Sequence, residues 1–220
     1  MRVVDEPLYG HYLVYSGAEH PGRQTVIDAM DCDGDTVMRD LLQRQSEDPS
    51  RRLFLKHMAH HLIGLDTGFL TSTDNVLLVR NPREMLPSLT VQLPQATLAD
   101  TGLQQQWNLY RALSDGGQSP AVVDSRDLLL NPESVLRRLC GHLDLEFRQG
   151  MLSWEAGPRP EDGIWAPHWY HAVHRSTGFA PYIAKSGFPE RLQGLLDECM
   201  PYYEKLIQHV ISADRSGETE

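Results

Sequence analysis

Cysteine, basic charge and long apolar runs are all scarce in this sequence, and each shortage removes a class of protein. Cys32, Cys140 and Cys199 are odd in number and show no C-x-x-C spacing. Neither a disulfide framework nor a zinc site is predicted from them. Twenty Lys and Arg stand against thirty Asp and Glu, a formal net charge of −10. That balance argues against a general nucleic-acid binder or a reader of highly sulfated polyanions, since both need a basic surface. A nucleotide remains admissible through a local cluster of cations. No stretch approaches the ~20 apolar residues of a membrane span, and Met1-Arg2-Val3-Val4-Asp5 lacks a signal-peptide pattern. The expectation is a cytoplasmic protein with neither nucleic acid nor membrane as partner, its oligomeric state left open. No G-x-x-x-x-G-K-[ST] occurs, which disfavours a P-loop kinase. The acidic run from Asp31 to Asp35 is not a calcium loop, because Thr36 and Leu42 stand where an EF-hand requires glycine and glutamate.

What is present is an α/β pattern. With 220 residues, 40% of them hydrophobic, the chain can bury one continuous core. A single domain over 1–212 is expected, followed by a disordered polar tail over 213–220. Short apolar runs at Arg2–Val4, Leu53–Lys56, Val76–Val79 and Ala121–Val123 read as strands. Val76 to Val79 do not alternate, which predicts a parallel strand buried on both faces. Helical stripes lie between and after them: one capped by Asp35 and running through Val37, Leu41 and Leu42, one from Thr97 through Leu113, one begun by Asn131 and Pro132, and one between Phe188 and Ile211 that passes Pro201. Gln45 to Arg52 reads as loop.

The stretch from Asn75 to Ser88 organises the rest. Arg80 follows the last strand residue, Asn81 can cap a helix, Pro82 suits its first position, and Glu84 completes a capping pattern. Arg80 therefore belongs to the carboxyl end of a strand beside a helix N-terminus, where anions bind in open α/β sheets. Glu6 sits at another strand end, since Pro7 keeps it out of helical geometry. Lys56 and His57 sit at a third. His57, His60 and His61 also have helical i, i+3, i+4 spacing, but no acidic partner of matching spacing accompanies them, and no metal is expected.

Arg80-Asn81-Pro82-Arg83-Glu84 with Ser88 eight residues after the arginine resembles the R-(D/N)-P-(R)-(D/E)-x-x-x-S segment of sulfotransferases. The resemblance implies a three-layer, P-loop-like sandwich, a parallel β-sheet flanked by helices. It also implies 3′-phosphoadenosine 5′-phosphosulfate as co-substrate, with Arg80 and Ser88 on its 3′-phosphate. Pro87 departs from the family by interrupting the helix that carries Ser88. Lys56-His57 is similar to the family's Lys-Thr-His stretch, with the histidine displaced by one position. It implies Lys56 at the leaving group and His57 as a base. Glu6-Pro7 is similar to a Glu-Pro pair after the family's second strand, which makes Glu6 the first choice of base. The segment from Ser125-Arg126-Asp127-Leu128 through Asn131-Pro132-Glu133 resembles the family's Tyr-Glu-Asp-Leu block, a strand feeding a packed helix, with arginine where glutamate is usual. Lys185-Ser186-Gly187 falls where the family has a late basic loop that wraps the 3′-phosphate. The aromatic stretch from Trp154 through Trp165, Trp169 and Tyr170 to Phe179 reads either as a loop over a pocket or as an aromatic cluster packed on the sheet.

No Ser-Gly-Pro-Arg-type cradle for the 5′-phosphosulfate occurs in the sequence. The expectation is that Met1 enters the family pattern at its second strand, with the first βα unit missing. The function expected is sulfuryl transfer to a small hydroxyl or amine acceptor. The rival is a non-catalytic nucleotide-binding or scaffolding relative, so enzymatic activity is left open.

Overall fold

The computed structural model describes residues 1–211, and the tail expected over 213–220 lies outside them. In chain order the elements are β1 (Arg2–Asp5), α1 (Tyr9–Ser16), α2 (Arg23–Ala29), α3 (Gly34–Glu47), β2 (Leu53–Lys56), β3 (Val76–Val79), α4 (Pro82–Gln92), α5 (Leu98–Thr101), α6 (Leu103–Asp115), β4 (Ala121–Asp124), α7 (Ser125–Leu130), α8 (Pro132–His142), α9 (Ala166–Trp169), α10 (His171–His174) and α11 (Gln193–Ile207). Short 3-10 turns occupy Ala59–Leu62 and Thr67–Ser72, among others. The strands form two parallel pairs. β1 runs beside β2 with Asp5 opposite Lys56, and β3 beside β4 with Val79 opposite Asp124. Parallel pairing with helical connections is the α/β arrangement that the sequence predicts.

The described residues divide into two compact units, one of residues 1–68 and 156–175, the other of 69–155 and 176–211. In the first, Tyr9, Tyr12, Leu13, Val26 and Trp165 form a buried cluster, with Trp169 and Tyr170 packed against it. In the second, Leu77, Val79, Leu86, Leu103 and Val122 are buried together with Leu192, Leu196, Cys199, Tyr203 and Leu206 from the C-terminal segment. β4 is buried along its whole length, and the backbone N–H of Ile211 donates to the Val122 carbonyl (2.9 Å), extending pairing past α11.

Local chemistry explains the helix starts. The Asn81 side chain accepts from the Arg83 N–H (2.9 Å) at the head of α4, and Asn131 accepts from the Ser134 N–H (3.4 Å) at the head of α8, each with proline following the cap. Both α4 and α11 continue through their internal prolines, Pro87 and Pro201.

Several expectations need correcting. The cap of α3 is Asp33, not Asp35: its carboxylate accepts from the Thr36 N–H (3.1 Å). Gly34 then opens the helix where a Cβ would come within 2.7 Å of the Leu65 side chain. α3 also runs to Glu47, into the stretch read as loop. The stripe from Thr97 to Leu113 is two helices, because Gly102 adopts a left-handed φ of 70° between them. β3 is buried only on alternate residues, with Val76 and Leu78 exposed, although it is parallel as expected. The fourth strand runs one residue further than expected, to Asp124, and Ser125 to Leu128 open helix α7.

Candidate functional site

Strand geometry sends successive side chains to opposite faces, so Asp5 and Glu6 would diverge if β1 simply continued. It does not. Glu6 takes a φ of +40°, an uncommon conformation for a residue with a side chain. It is fixed there by two backbone bonds: its N–H donates to the Lys56 carbonyl (2.8 Å), and its carbonyl accepts from the Tyr9 N–H (3.0 Å). Both acids consequently meet one cation. The Lys56 ammonium donates to Glu6 Oε1 and lies 3.3 Å from Asp5 Oδ1. The Tyr170 hydroxyl joins them, accepting from Lys56 Nζ (2.8 Å) and donating to Asp5 Oδ2 (2.6 Å). Trp165 Nε1 is 3.4 Å from the same hydroxyl.

The Glu6 side chain is 9% exposed and that of Lys56 38%, so the lysine presents a face to solvent while the carboxylate is nearly enclosed. Burial raises the pKa of Glu6 above its ordinary value, against the opposing pull of Lys56. Lys56 is desolvated as well, yet the attraction of Glu6 and its bonds to Glu6 and Tyr170 hold its pKa above the ordinary value. Glu6 Oε2 lies 4.0 Å from Nδ1 of His61, beyond hydrogen-bond distance. His61 is stacked between the rings of Tyr9 (4.9 Å) and Tyr12 (4.7 Å), and burial, then the charges of His60, His20, Lys56 and His57, pull its pKa well down. His57 has both ring nitrogens buried without a hydrogen-bond partner, and burial followed by the charge of Lys56 lowers its pKa to about 4. No group of three His, Cys, Asp or Glu side chains suited to a metal ion occurs among the described residues.

The second unit carries the sequence-predicted phosphate ligands. Arg80 is 42% exposed, with Nε 3.9 Å from Glu84 Oε2. Lys185 Nζ donates to the Glu84 carbonyl (3.2 Å). These two cations therefore converge on the first turn of α4 from distant parts of the chain. Ser88 is exposed one turn further along the helix. Beside that turn lies a cleft of about 290 Å³ lined by Asn81, Arg83, Glu84, Arg126, Tyr182 and Lys185, among others. Arg83 lies over the Phe188 ring (5.5 Å) and Arg126 over the Tyr182 ring (5.4 Å), while the Tyr182 hydroxyl donates to Glu84 Oε1 (2.5 Å). Arginine and lysine side chains around a helix N-terminus suit a phosphate group, and the one carboxylate in the cleft is already engaged by Tyr182.

Of the residues singled out in the sequence, Glu6 and Lys56 are brought together by the fold, and Arg80 and Lys185 share Glu84 as neighbour. Sequence reasoning gave no role to Asp5 or Tyr170, and quoted Arg126 only as part of a structural segment. Only the concentration of aromatic residues around Trp165–Tyr170 hinted at Tyr170.

Parallel strand pairs, one ending beside an acid and a lysine and the other followed by a helix start with a basic cleft, define a mixed α/β chain. The chain belongs to the sulfotransferase domain family, whose model matches residues 1–209. Among curated proteins it is similar to branched-chain-amino-acid aminotransferase-like protein 2 of Arabidopsis thaliana (36% identity over 96% of this chain and 37% of the relative). It is likewise similar to branched-chain-amino-acid aminotransferase-like protein 1 of the same plant (39% identity, 95% and 38%). The chain therefore spans less than two-fifths of the length of these relatives. No solved structure matches it.

Proposed function

We propose that this chain transfers a sulfuryl group from 3′-phosphoadenosine 5′-phosphosulfate to the hydroxyl or amine of a small acceptor. The observation that carries the proposal is the Glu6–Lys56 pair, a nearly enclosed carboxylate on a partly exposed ammonium at the ends of adjacent parallel strands, in a chain of the sulfotransferase domain family. Glu6 is the base: its raised pKa makes it a better proton acceptor than an ordinary surface carboxylate. Lys56 stabilises the negative charge that develops on the departing nucleotide. Arg83, Arg126 and Lys185 of the cleft, with Arg80 paired to Glu84 at the same turn of α4, hold the nucleotide's 3′-phosphate, with Ser88 as a further ligand. His57 stands behind Glu6 as base, because a histidine depressed to about 4 is neutral at physiological pH but weakly basic. An aminotransferase activity, as in the names of the plant relatives, is not proposed.

The test uses adenosine 3′,5′-bisphosphate and sulfur-labelled co-substrate with a panel of small alcohols, phenols and amines. The bisphosphate is expected to raise the melting temperature, and Arg80→Ala to remove most of that rise. Label is expected in an acceptor with wild-type protein. A chain that neither gains stability from the bisphosphate nor transfers label overturns the proposal.

A further inference from the structure

Two neighbouring carboxylates share one ammonium at the end of β1, and something has to decide which of them takes a proton. We propose that Tyr170 is the positioning residue that decides it: by committing its single hydroxyl proton to Asp5, it reserves Glu6 as the proton acceptor. The inference deepens the sulfuryl-transfer reading and rests on it for its catalytic meaning.

The geometry leaves little choice. A phenol donates once and accepts through its lone pairs. Asp5 Oδ2 lies at 2.6 Å from the Tyr170 oxygen and Glu6 Oε1 at 3.3 Å, so the proton belongs to Asp5. The lone pairs face Lys56 Nζ at 2.8 Å and Trp165 Nε1 at 3.4 Å. Asp5 then has a partner on each oxygen, the Lys56 ammonium at ion-pair distance from Oδ1 and the Tyr170 hydroxyl donating to Oδ2. Glu6 has both its partners, Lys56 and the longer Tyr170 contact, on Oε1, and its Oε2 only faces His61 at 4.0 Å. Hydrogen bonds and a nearby cation favour a carboxylate's charged form, so the acid with one oxygen beyond the reach of any such partner is the one that takes the proton. The groups facing Glu6 are Asp5 from β1, Tyr9 from α1, Lys56 from β2, His61 from the Ala59–Leu62 turn and Tyr170 from the junction of α9 and α10.

In the reaction, the acceptor oxygen forms its bond to sulfur and its proton passes to Glu6. The bond from sulfur to the phosphate oxygen breaks, and that oxygen leaves with the electron pair. Protonated Glu6 no longer holds Lys56 by charge, so Asp5 is left as the one carboxylate of the pair drawing on the ammonium as the leaving group departs, and Glu6 later returns its proton to solvent.

The test follows the side-chain carboxyl carbons of Asp5 and Glu6 by NMR across pH 4 to 8, without substrate, in wild type, Tyr170→Phe, and Tyr170→Phe combined with Asp5→Asn. In wild type the proton step is expected on Glu6 alone. In Tyr170→Phe it is expected to divide between both carboxyls, and in the double variant to return to Glu6. A step that stays on Glu6 in folded Tyr170→Phe overturns the proposal, as does a wild-type step centred on Asp5. With an acceptor in hand, Tyr170→Phe is expected to lower kcat about tenfold with KM little changed, a split that a purely structural role would not give. Because the NMR arm needs no turnover, failure of sulfuryl transfer and failure of the Tyr170 assignment are read separately.

Discussion

Glu6 and His57 show how burial sorts two candidate bases that stand equally close to a strand end. Both are desolvated, and desolvation always disfavours the charged form, so the acid moves up and the imidazole moves down. The carboxylate gains basicity and the histidine loses it. Glu6→Gln is accordingly expected to lower turnover by about 10² or more while the affinity for adenosine 3′,5′-bisphosphate is unchanged. Equal activity in the two proteins would move the base to His57. The histidine leaves a different trace, in stability. Its pKa falls from 6.5 in the ordinary state to about 4 in the folded one, so on acidification the unfolded chain takes up the proton first. The contribution is fully present above pH 6.5 and is lost as pH falls toward 4, a change of roughly 3 kcal/mol at 1.36 kcal/mol per unit. Glu6 acts in the opposite sense, its raised pKa giving stability that is present below its ordinary 4.5 and lost as pH rises through the folded value. Denaturant melts of wild type and His57→Phe between pH 4 and 7 separate the two: the stability of wild type relative to the variant should fall as pH falls, and parallel curves would refute the assignment.

Among the elements, α4 and α11 show what a local pattern can and cannot specify. Asn81-Pro82 and Asn131-Pro132 were legible as helix starts because a cap is a bond between near neighbours in the chain. Asn81→Ala should cost about 1 kcal/mol, measured by chemical denaturation. Leu196 is 1% exposed in α11, within the core of its unit, and Leu196→Ala should cost about 2–5 kcal/mol in the same measurement. The break between α5 and α6 was not legible. The apolar spacing from Leu98 to Leu113 fits one helix, and only the backbone of Gly102, turned to a φ of 70°, divides it. β3 likewise had the composition of a doubly buried strand, yet Leu78 is 56% exposed. Composition reports what a strand tolerates, whereas burial depends on what packs against each face.

For the molecule as a whole, the net charge of −10 and the clustering of Arg83, Arg126 and Lys185 at one cleft lead to opposite expectations for large and small anions. A sulfated polymer meets the overall repulsive field, while a nucleotide meets only the local cations. The chain should pass unretained through a heparin column at about 0.15 M salt and still gain stability from adenosine 3′,5′-bisphosphate. Retention on heparin, with elution by salt, would contradict this. No helix among the described residues is long and apolar enough to cross a membrane.

By itself, the sequence determined the positions of the four strands, the helix starts at two Asn-Pro pairs, and the placing of Glu6, Lys56 and Arg80 at strand ends. Those are short-range matters of side-chain size, backbone restriction by proline, and hydrogen bonds between near neighbours. The tertiary structure alone decided that Glu6 meets Lys56 from 50 residues away, and that the Tyr170 hydroxyl, 165 residues from Asp5, completes the cluster. It also decided that Lys185 reaches the start of α4, 101 residues earlier. Residues so far apart leave no mutual pattern in the chain. What joins Glu6, Lys56 and Tyr170 is the parallel pairing of β1 with β2 and the burial of aromatic side chains against α1, where apolar contact fixes the backbone and the polar groups are held in the positions that remain.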